Sequence, residues 1–293
     1  MSNPNSSPAP VDLDAWVDAV SADPVRHRQR QVTHILLHAV SRTPELRDAL
    51  YLKGGILMSA VYGSSRQTGD VDFTAGVAPE PFATEIRDKL DQAMASAAVD
   101  LGYLDLLMRV QRISREPGKT FETARGSALQ MTVGIAEKGT GTEKWFDKGQ
   151  ATEVLGIDIS FKEPVINVQV LEVGHTEGTV HAYSLEELIA EKLRALVQQV
   201  IRKRQRRQDV YDIAWLIEHV SLDDAARTRV LDALMEKAKA RDVVVDRDTF
   251  ENPEIKRLAQ ANWHTLEVEI GRLPDFDKMY AIVQAFYRSL PWE

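Results

Sequence analysis

Apolar residues recur at helical spacing over residues 12–20 and 25–41, where Trp16, Val20, Ile35, Leu36 and Leu37 mark the inward stripe. The pattern then switches to a short extended run at 50–52, a glycine pair at Gly54 and Gly55, and a helical stretch over 56–62. At 70–73, Val71 and Phe73 alternate with Asp70 and Asp72, which places the two apolar side chains on one face of a strand and the two carboxylates on the other. Residues 82–101 read as an amphipathic helix, 103–113 and 129–136 as strands, and 137–150, with its Gly-Thr-Gly-Thr run, as a hairpin loop or insertion. Strands are expected again over 154–161 and 165–173, parted by Lys162-Glu163-Pro164. Beyond Tyr183 the pattern is almost wholly helical. Ser184 and Glu187 make an S-x-x-E capping box, and Leu185, Leu188, Ile189, Leu193, Leu196 and Val197 repeat along one side of the helix that follows. In the last third Leu231, Leu234, Trp263, Leu266, Tyr280, Ile282 and Phe286 are expected in the core, the aromatics as packing rather than as base-stacking platforms.

This succession gives an α+β fold: a flexible polar tail over 1–10, a mixed-sheet domain over 11–183 and a helical C-terminal domain over 184–293. A chain of 293 residues that is 44% hydrophobic and 27% charged can bury a sizeable core. It has no run of about 18 apolar residues, so no membrane span is expected. The N-terminus carries neither a basic region nor an apolar segment, so it does not read as a secretion signal. The absence of cysteine excludes disulfides and thiolate zinc sites and fits a cytoplasmic protein.

The net charge of −8 is the wrong sign for nucleic-acid binding over the whole surface. One segment departs from it. Residues 192–208 contain no acid, yet hold Lys192, Arg194, Arg202, Lys203, Arg204, Arg206 and Arg207. Such a run is ordinarily a solvated helix face. Its other use is phosphate contact, with a nucleotide or an RNA backbone.

The sharpest chemical signal is Gly54 and Gly55 ahead of Asp70-Val71-Asp72. Two like charges on one strand face repel unless a cation or a proton relieves them, and hard carboxylate oxygens suit Mg2+ or Mn2+. The glycines would let backbone N–H groups approach a phosphate. An Asp-x-Asp pair alone more often lies on a solvated loop or caps a helix. Asp158 alternates with Ile157 and Ile159 on its own strand, where it is either an outward-facing acid or part of a site. His34 and His38 stand four apart on a helix, a zinc-compatible spacing, but no third ligand is evident and the structural reading is preferred.

Leu52-Lys53-Gly54-Gly55, then Arg66 and Thr68, then Gly69-Asp70-Val71-Asp72-Phe73 resembles the core of the nucleotidyltransferase superfamily, and within it the AbiEii/AbiGii (MenT-like) toxin family. The resemblance extends to Lys192 and to Arg206-Arg207-Gln208-Asp209-Val-Tyr-Asp212, over half of the chain in all. Gln208 stands where the family more usually has a basic residue, which puts a phosphate contact there in doubt. The resemblance implies a nucleotidyltransferase-type sheet, Asp70 and Asp72 as metal ligands, and Asp158 as a third carboxylate. It further implies a catalytic set of Asp70, Asp72, Asp158, Lys192 and Asp209, in which Asp158 or Asp209 orients or deprotonates the acceptor hydroxyl. Lys53, Gly54, Gly55, Arg66, Lys192, Arg206, Arg207 and Asp212 would serve the nucleotide. An NTP substrate, the 3′ end of tRNA as acceptor, a block on translation and a cognate antitoxin follow from the same likeness. Transfer to a protein or to a small molecule such as an antibiotic, and a non-catalytic nucleotide- or nucleic-acid-binding module, remain open alternatives.

Overall fold

The computed structural model describes residues 9–174 and 178–293. Residues 1–8 of the expected tail lie outside them, as does His175, which the sequence places alone between two strand patterns. Strand β1 (Ala9–Val11) leads into helices α1 (Leu13–Asp18), α2 (Pro24–Arg42) and α3 (Pro44–Arg47). Then follow β2 (Leu50–Lys53), α4 (Gly54–Ala60), β3 (Asp70–Ala75), α5 (Pro79–Asp100), β4 (Leu106–Glu116), β5 (Ala128–Glu137), α6 (Glu143–Asp147), β6 (Glu153–Phe161), β7 (Val168–Val173) and β8 (Thr179–Tyr183). The remainder is helical: α7 (Leu185–Arg202), α8 (Arg207–His219), α9 (Asp224–Ala240), α10 (Pro253–Gln260), α11 (Glu267–Ile270) and α12 (Phe276–Arg288).

Eight strands form one mixed sheet in the order β1-β7-β8-β2-β3-β6-β5-β4. Its centre positions the candidate site. β3 runs antiparallel to β2 and parallel to β6, with Lys53 opposite Asp72, Asp72 opposite Asp158, and Asp70 opposite Gly156. The expected alternation holds on both strands: Val71, Phe73, Leu155, Ile157, Ile159 and Phe161 are all buried, so the intervening residues face the other way. A fully buried side chain of this size stabilises the fold by about 1.5–3 kcal/mol, which fixes the register that exposes the acids.

Helix starts follow from local chemistry. Asp12 and Asp23 accept hydrogen bonds from the first backbone N–H groups of α1 and α2, and Pro24 opens α2. The capping box of α7 forms only in half: Ser184 Oγ accepts from Glu187 N, but Glu187 turns away. Its carboxylate accepts from the Ile166 and Asn167 N–H groups and pairs with Lys237 at 2.7 Å, all within the core. A single apolar cluster runs from Val11 to Leu290 through both parts of the chain, and it includes Leu234, Trp263, Leu266, Tyr280 and Phe286. Leu231 and Ile282 pack against it from partly buried positions.

Four element expectations are corrected. Ala9 and Pro10 are not tail, because β1 pairs in parallel with β7. The expected loop at 137–150 holds the short helix α6, where Phe146 is buried beside Ala136 and Ala151. The third strand of the middle region begins at Leu106 and extends to Glu116, since a turn at Tyr103 precedes it. The strand expected from 165 starts only at Val168, because Ile166 and Asn167 give their N–H groups to Glu187. Among the described residues no helix is long and apolar enough to cross a membrane. His34 and His38 are buried singly, His34 near Tyr103 and Asp14 and His38 near Asp100, and burial lowers the pKa of both.

Candidate active site

β3 and β6 carry the acids to the floor of a cleft of about 520 Å³, a volume ordinary for a small-molecule site. Asp72 and Asp158 occupy matched positions on adjacent parallel strands, about 4.8 Å apart along the sheet, and Asp70 lies two residues before Asp72 on the same face. Space for these carboxylates is made by glycine. A Cβ on Gly54 would fall 2.0 Å from Asp72 Oδ2, and one on Gly156 would fall 2.1 Å from Asp70 Oδ1. A Cβ on Gly55 would meet Thr68 at 2.8 Å. The glycines expected to admit a phosphate therefore first admit the protein's own side chains.

Crowded acids resist ionisation. Burial pushes the Asp72 carboxyl up to about 6, with Glu191 and Asp158 adding to the rise and Lys53 opposing it. Burial also raises Asp158, followed by the charge of Asp70, against a hydrogen bond from Gln130 and the charge of Lys53. This is an excess of carboxylate that a hard cation would relieve. Among the described residues no three acids or histidines converge into a ready-made cage. A Mg2+ or Mn2+ ion fits nonetheless, because such ions bind through one or two carboxylates and complete their shells with water and substrate phosphates. Asp70 and Asp72 are the residues that would hold it.

Lys53 does not play the expected role. Its ammonium donates to Ser160 Oγ at 2.8 Å, Glu163 Oε2 at 3.1 Å and Glu191 Oε1 at 2.8 Å. A lysine has three donors, so none is left for a triphosphate. Burial alone would lower its pKa, but Glu163 and Glu191 outweigh that and raise it well above the usual value. Lys53 is thus a fixed charge that ties β2 to α7 and to the turn after β6.

A second buried network secures the other wall. Asp212 is wholly buried and accepts from Arg66 Nε at 2.7 Å, Arg66 Nη2 at 2.9 Å and Lys192 Nζ at 2.7 Å. Lys192 also donates to Asp209 Oδ1 at 3.1 Å, and Arg66 to Glu269 Oε2 at 3.1 Å. Lys192 uses two of its three donors and Arg66 three of five, and both side chains line the cleft. Asp209 lines the cleft too, and its Oδ2 is buried without a hydrogen bond.

The cleft therefore brings together Lys53, Gly54, Gly55, Arg66, Asp70, Asp72, Asp158, Lys192, Arg206 and Asp209. Besides Lys53, two expected nucleotide ligands are corrected. Asp212 lies beneath the wall as the shared acceptor of Arg66 and Lys192, and Arg207 points away towards Glu269 at 3.9 Å. Gln208, at the position of the missing basic residue, does line the cleft. Residues that sequence reasoning did not single out are Gln130, Ser160, Glu163, Glu191 and Arg241. Only Glu191 carried a local signal, three residues before Arg194 on one helix and 3.8 Å from its guanidinium.

One consequence is directly testable. Gly54 has φ +72, and its missing Cβ is the room Asp72 needs. Gly54→Ala is expected to lose activity by displacing the Asp72 carboxylate, and to cost about 1–2 kcal/mol for the left-handed backbone. Thermal melting and activity measured together check this; unchanged activity would show that the placement of Asp72 is not required.

A family model described as nucleotidyl transferase AbiEii toxin, type IV TA system, matches residues 35–282. No curated protein matches the chain in sequence. Among solved structures, MenT4, a nucleotidyltransferase toxin from Mycobacterium tuberculosis H37Rv, superposes with a TM-score of 0.59 at 14% identity, covering 94% of this chain and 88% of that one. JHP933 from Helicobacter pylori superposes with a TM-score of 0.50 at 13% identity, covering 90% of each chain. Likeness at these identities shows a shared fold.

Proposed function

Because the chain belongs to the AbiEii family of nucleotidyltransferase toxins of type IV toxin–antitoxin systems, we propose that it transfers a nucleoside monophosphate from an NTP to the 3′-terminal hydroxyl of tRNA, which blocks translation. The observation that carries the chemistry is the placement of Asp70, Asp72 and Asp158 side by side in a cleft that also presents spare donors of Lys192 and Arg66. A divalent cation bound by Asp70 and Asp72 would neutralise charge on the phosphates and align the attacking and leaving oxygens.

The acceptor hydroxyl oxygen forms a bond to the α-phosphorus, the bond from that phosphorus to the β-bridging oxygen breaks, and pyrophosphate departs. Lys192 and Arg66 stabilise charge on the triphosphate with the donors they do not spend on Asp209, Asp212 and Glu269. Gly54 and Gly55 offer backbone beside Asp72, and Arg206 also lines the cleft. The proton of the hydroxyl passes to a cleft carboxylate. Of the carboxylates lining the cleft, Asp158, whose pKa is raised, and Asp209, with a buried oxygen lacking a hydrogen bond, are the two we assign as candidate bases.

The tRNA acceptor is supported by family membership. A cognate antitoxin is expected on the same ground, with the cytoplasm as the place of action. Incubating the protein with labelled NTPs, Mg2+ and either total tRNA or cell protein tests the acceptor. Label in tRNA is expected; label in protein with none in tRNA would favour protein modification, the reading to which an acidic chain lends some weight.

A further inference from the structure

We propose that a small cavity behind the cleft wall, between α1, α2, α4 and the segment that leads into β3, binds one oxyanion of phosphate size, free or as the end of a phosphomonoester, on the Arg30 guanidinium and the Trp16 indole N–H. The assignment is independent of the nucleotidyl-transfer reading above, since neither residue lines the cleft.

In a chain of net charge −8, this cavity is lined by Arg26, Arg30 and Arg66 and by no carboxylate. Two of these guanidinium groups are offset from outside it: Arg26 pairs with Asp23 at 3.0 Å, and Arg66 with Asp212 at 2.7 Å and Glu269 at 3.1 Å. Arg30 is not. It donates to the Trp16 carbonyl oxygen and lies 4.6 Å over the Trp16 ring, so most of its five donors stay unspent. Burial, then the charge of Arg26, lowers its pKa, the response of a cation that no carboxylate faces. Trp16 supplies a second and independent mark. Its Nε1–H is buried and has no acceptor among the described residues. Buried donors without acceptors are rare in folded proteins, and a ligand or a water molecule ordinarily completes them.

Size and charge decide what belongs there. The cavity holds about 50 Å³, against about 520 Å³ for the cleft. At roughly 10–15 Å³ for each water-sized group, it admits a compact ion and excludes a nucleoside. A water molecule could accept from the indole N–H but would leave the charge of Arg30 unbalanced. A tetrahedral oxyanion offers one oxygen to the indole and others to the guanidinium fork, and bonds between ionised partners are the stronger kind. Arg66 and Thr68 line the cavity and the cleft alike, so a bound ion would rest against the back of the cleft wall.

Proton–nitrogen correlation spectra of the full-length protein, titrated with inorganic phosphate, test the site at the indole itself. The chain has five tryptophans, and the indole signal missing from Trp16→Phe identifies Trp16. Phosphate is expected to move that signal saturably, while chloride at equal ionic strength leaves it in place. Arg30→Gln should require about tenfold more phosphate for the same movement, the worth of a hydrogen bond to a charged group. Where Arg30→Gln melts early, Ser65→Asp serves instead: it sets a carboxylate at an exposed position on the cavity lining and should abolish the response. Glycerol 3-phosphate run in parallel separates the two sources, since movement by both ligands assigns the site to a phosphomonoester end and movement by phosphate alone to the free ion. A Trp16 signal that phosphate does not move would leave the cavity to water and overturn the proposal. So would movement that chloride reproduces, or that persists unchanged in both variants.

Discussion

Asp72→Ala is expected to reduce nucleotide transfer by about 10³-fold or more while leaving the fold intact. The side chain fills the gap left by Gly54 and faces Asp158 across the parallel pair. Its pKa, raised to about 6 by burial, has a consequence for stability in the absence of metal. A carboxyl that is harder to ionise in the native state than in the unfolded chain destabilises the native state wherever it is ionised. The neutral variant Asp72→Asn should therefore melt higher than the wild type above about pH 6, and the difference should vanish below about pH 4, where both states are protonated. Magnesium should raise the melting temperature of the wild type and leave that of Asp72→Ala unmoved. A fall of many degrees in Asp72→Ala at neutral pH would instead make the pair structural.

Asp212→Ala should give the largest loss of stability, about 3–5 kcal/mol by urea unfolding at neutral pH. Arg66 and Lys192 would both lose an acceptor at 2.7 Å, on a carboxylate that is wholly buried. Burial pushes the Asp212 pKa up, but Arg66 and Lys192 outweigh it and hold the carboxyl below the usual range. A depressed carboxylate stabilises the native state fully above the unfolded pKa, and that contribution is lost as the pH falls through the folded value. Wild type should thus lose stability in acid, and the Asp212→Ala variant should lose less. A loss under about 1 kcal/mol at neutral pH would mean that Arg66 and Lys192 find other partners.

Which parts of this were legible in the sequence depended on distance along the chain. The β3 alternation of Val71 and Phe73 with Asp70 and Asp72 is a period-two pattern, readable from four residues, and the structure keeps it. The same holds for Ile157, Asp158 and Ile159 on β6. That Asp72 and Asp158 would stand opposite one another was open to no local reading, because the strands are parallel and a long crossover joins them. Lys53 was misjudged for a related reason. Its partners Glu163 and Glu191 lie more than a hundred residues away, and nothing at Lys162-Glu163-Pro164 marks an acid destined for burial. Asp212 shares a helix face with Asp209, so spacing grouped them; only the packing of Arg66 against α8 separates a wall residue from a buried one. Arg241 follows α9 and carried no motif, though it meets the same cleft as Arg202. The family resemblance was stronger than any single spacing because it joined segments that only the fold brings together.

The cleft at Asp70 and Asp72 is expected to move a nucleotide rather than a phosphate. Parallel incubations with NTP labelled at the α-phosphate and at the γ-phosphate, with Mg2+ and total tRNA, test it most directly. Label retained in the acceptor from the α position alone, and lost in Asp72→Ala, is the predicted result; label retained from the γ position, or none from either, would contradict it.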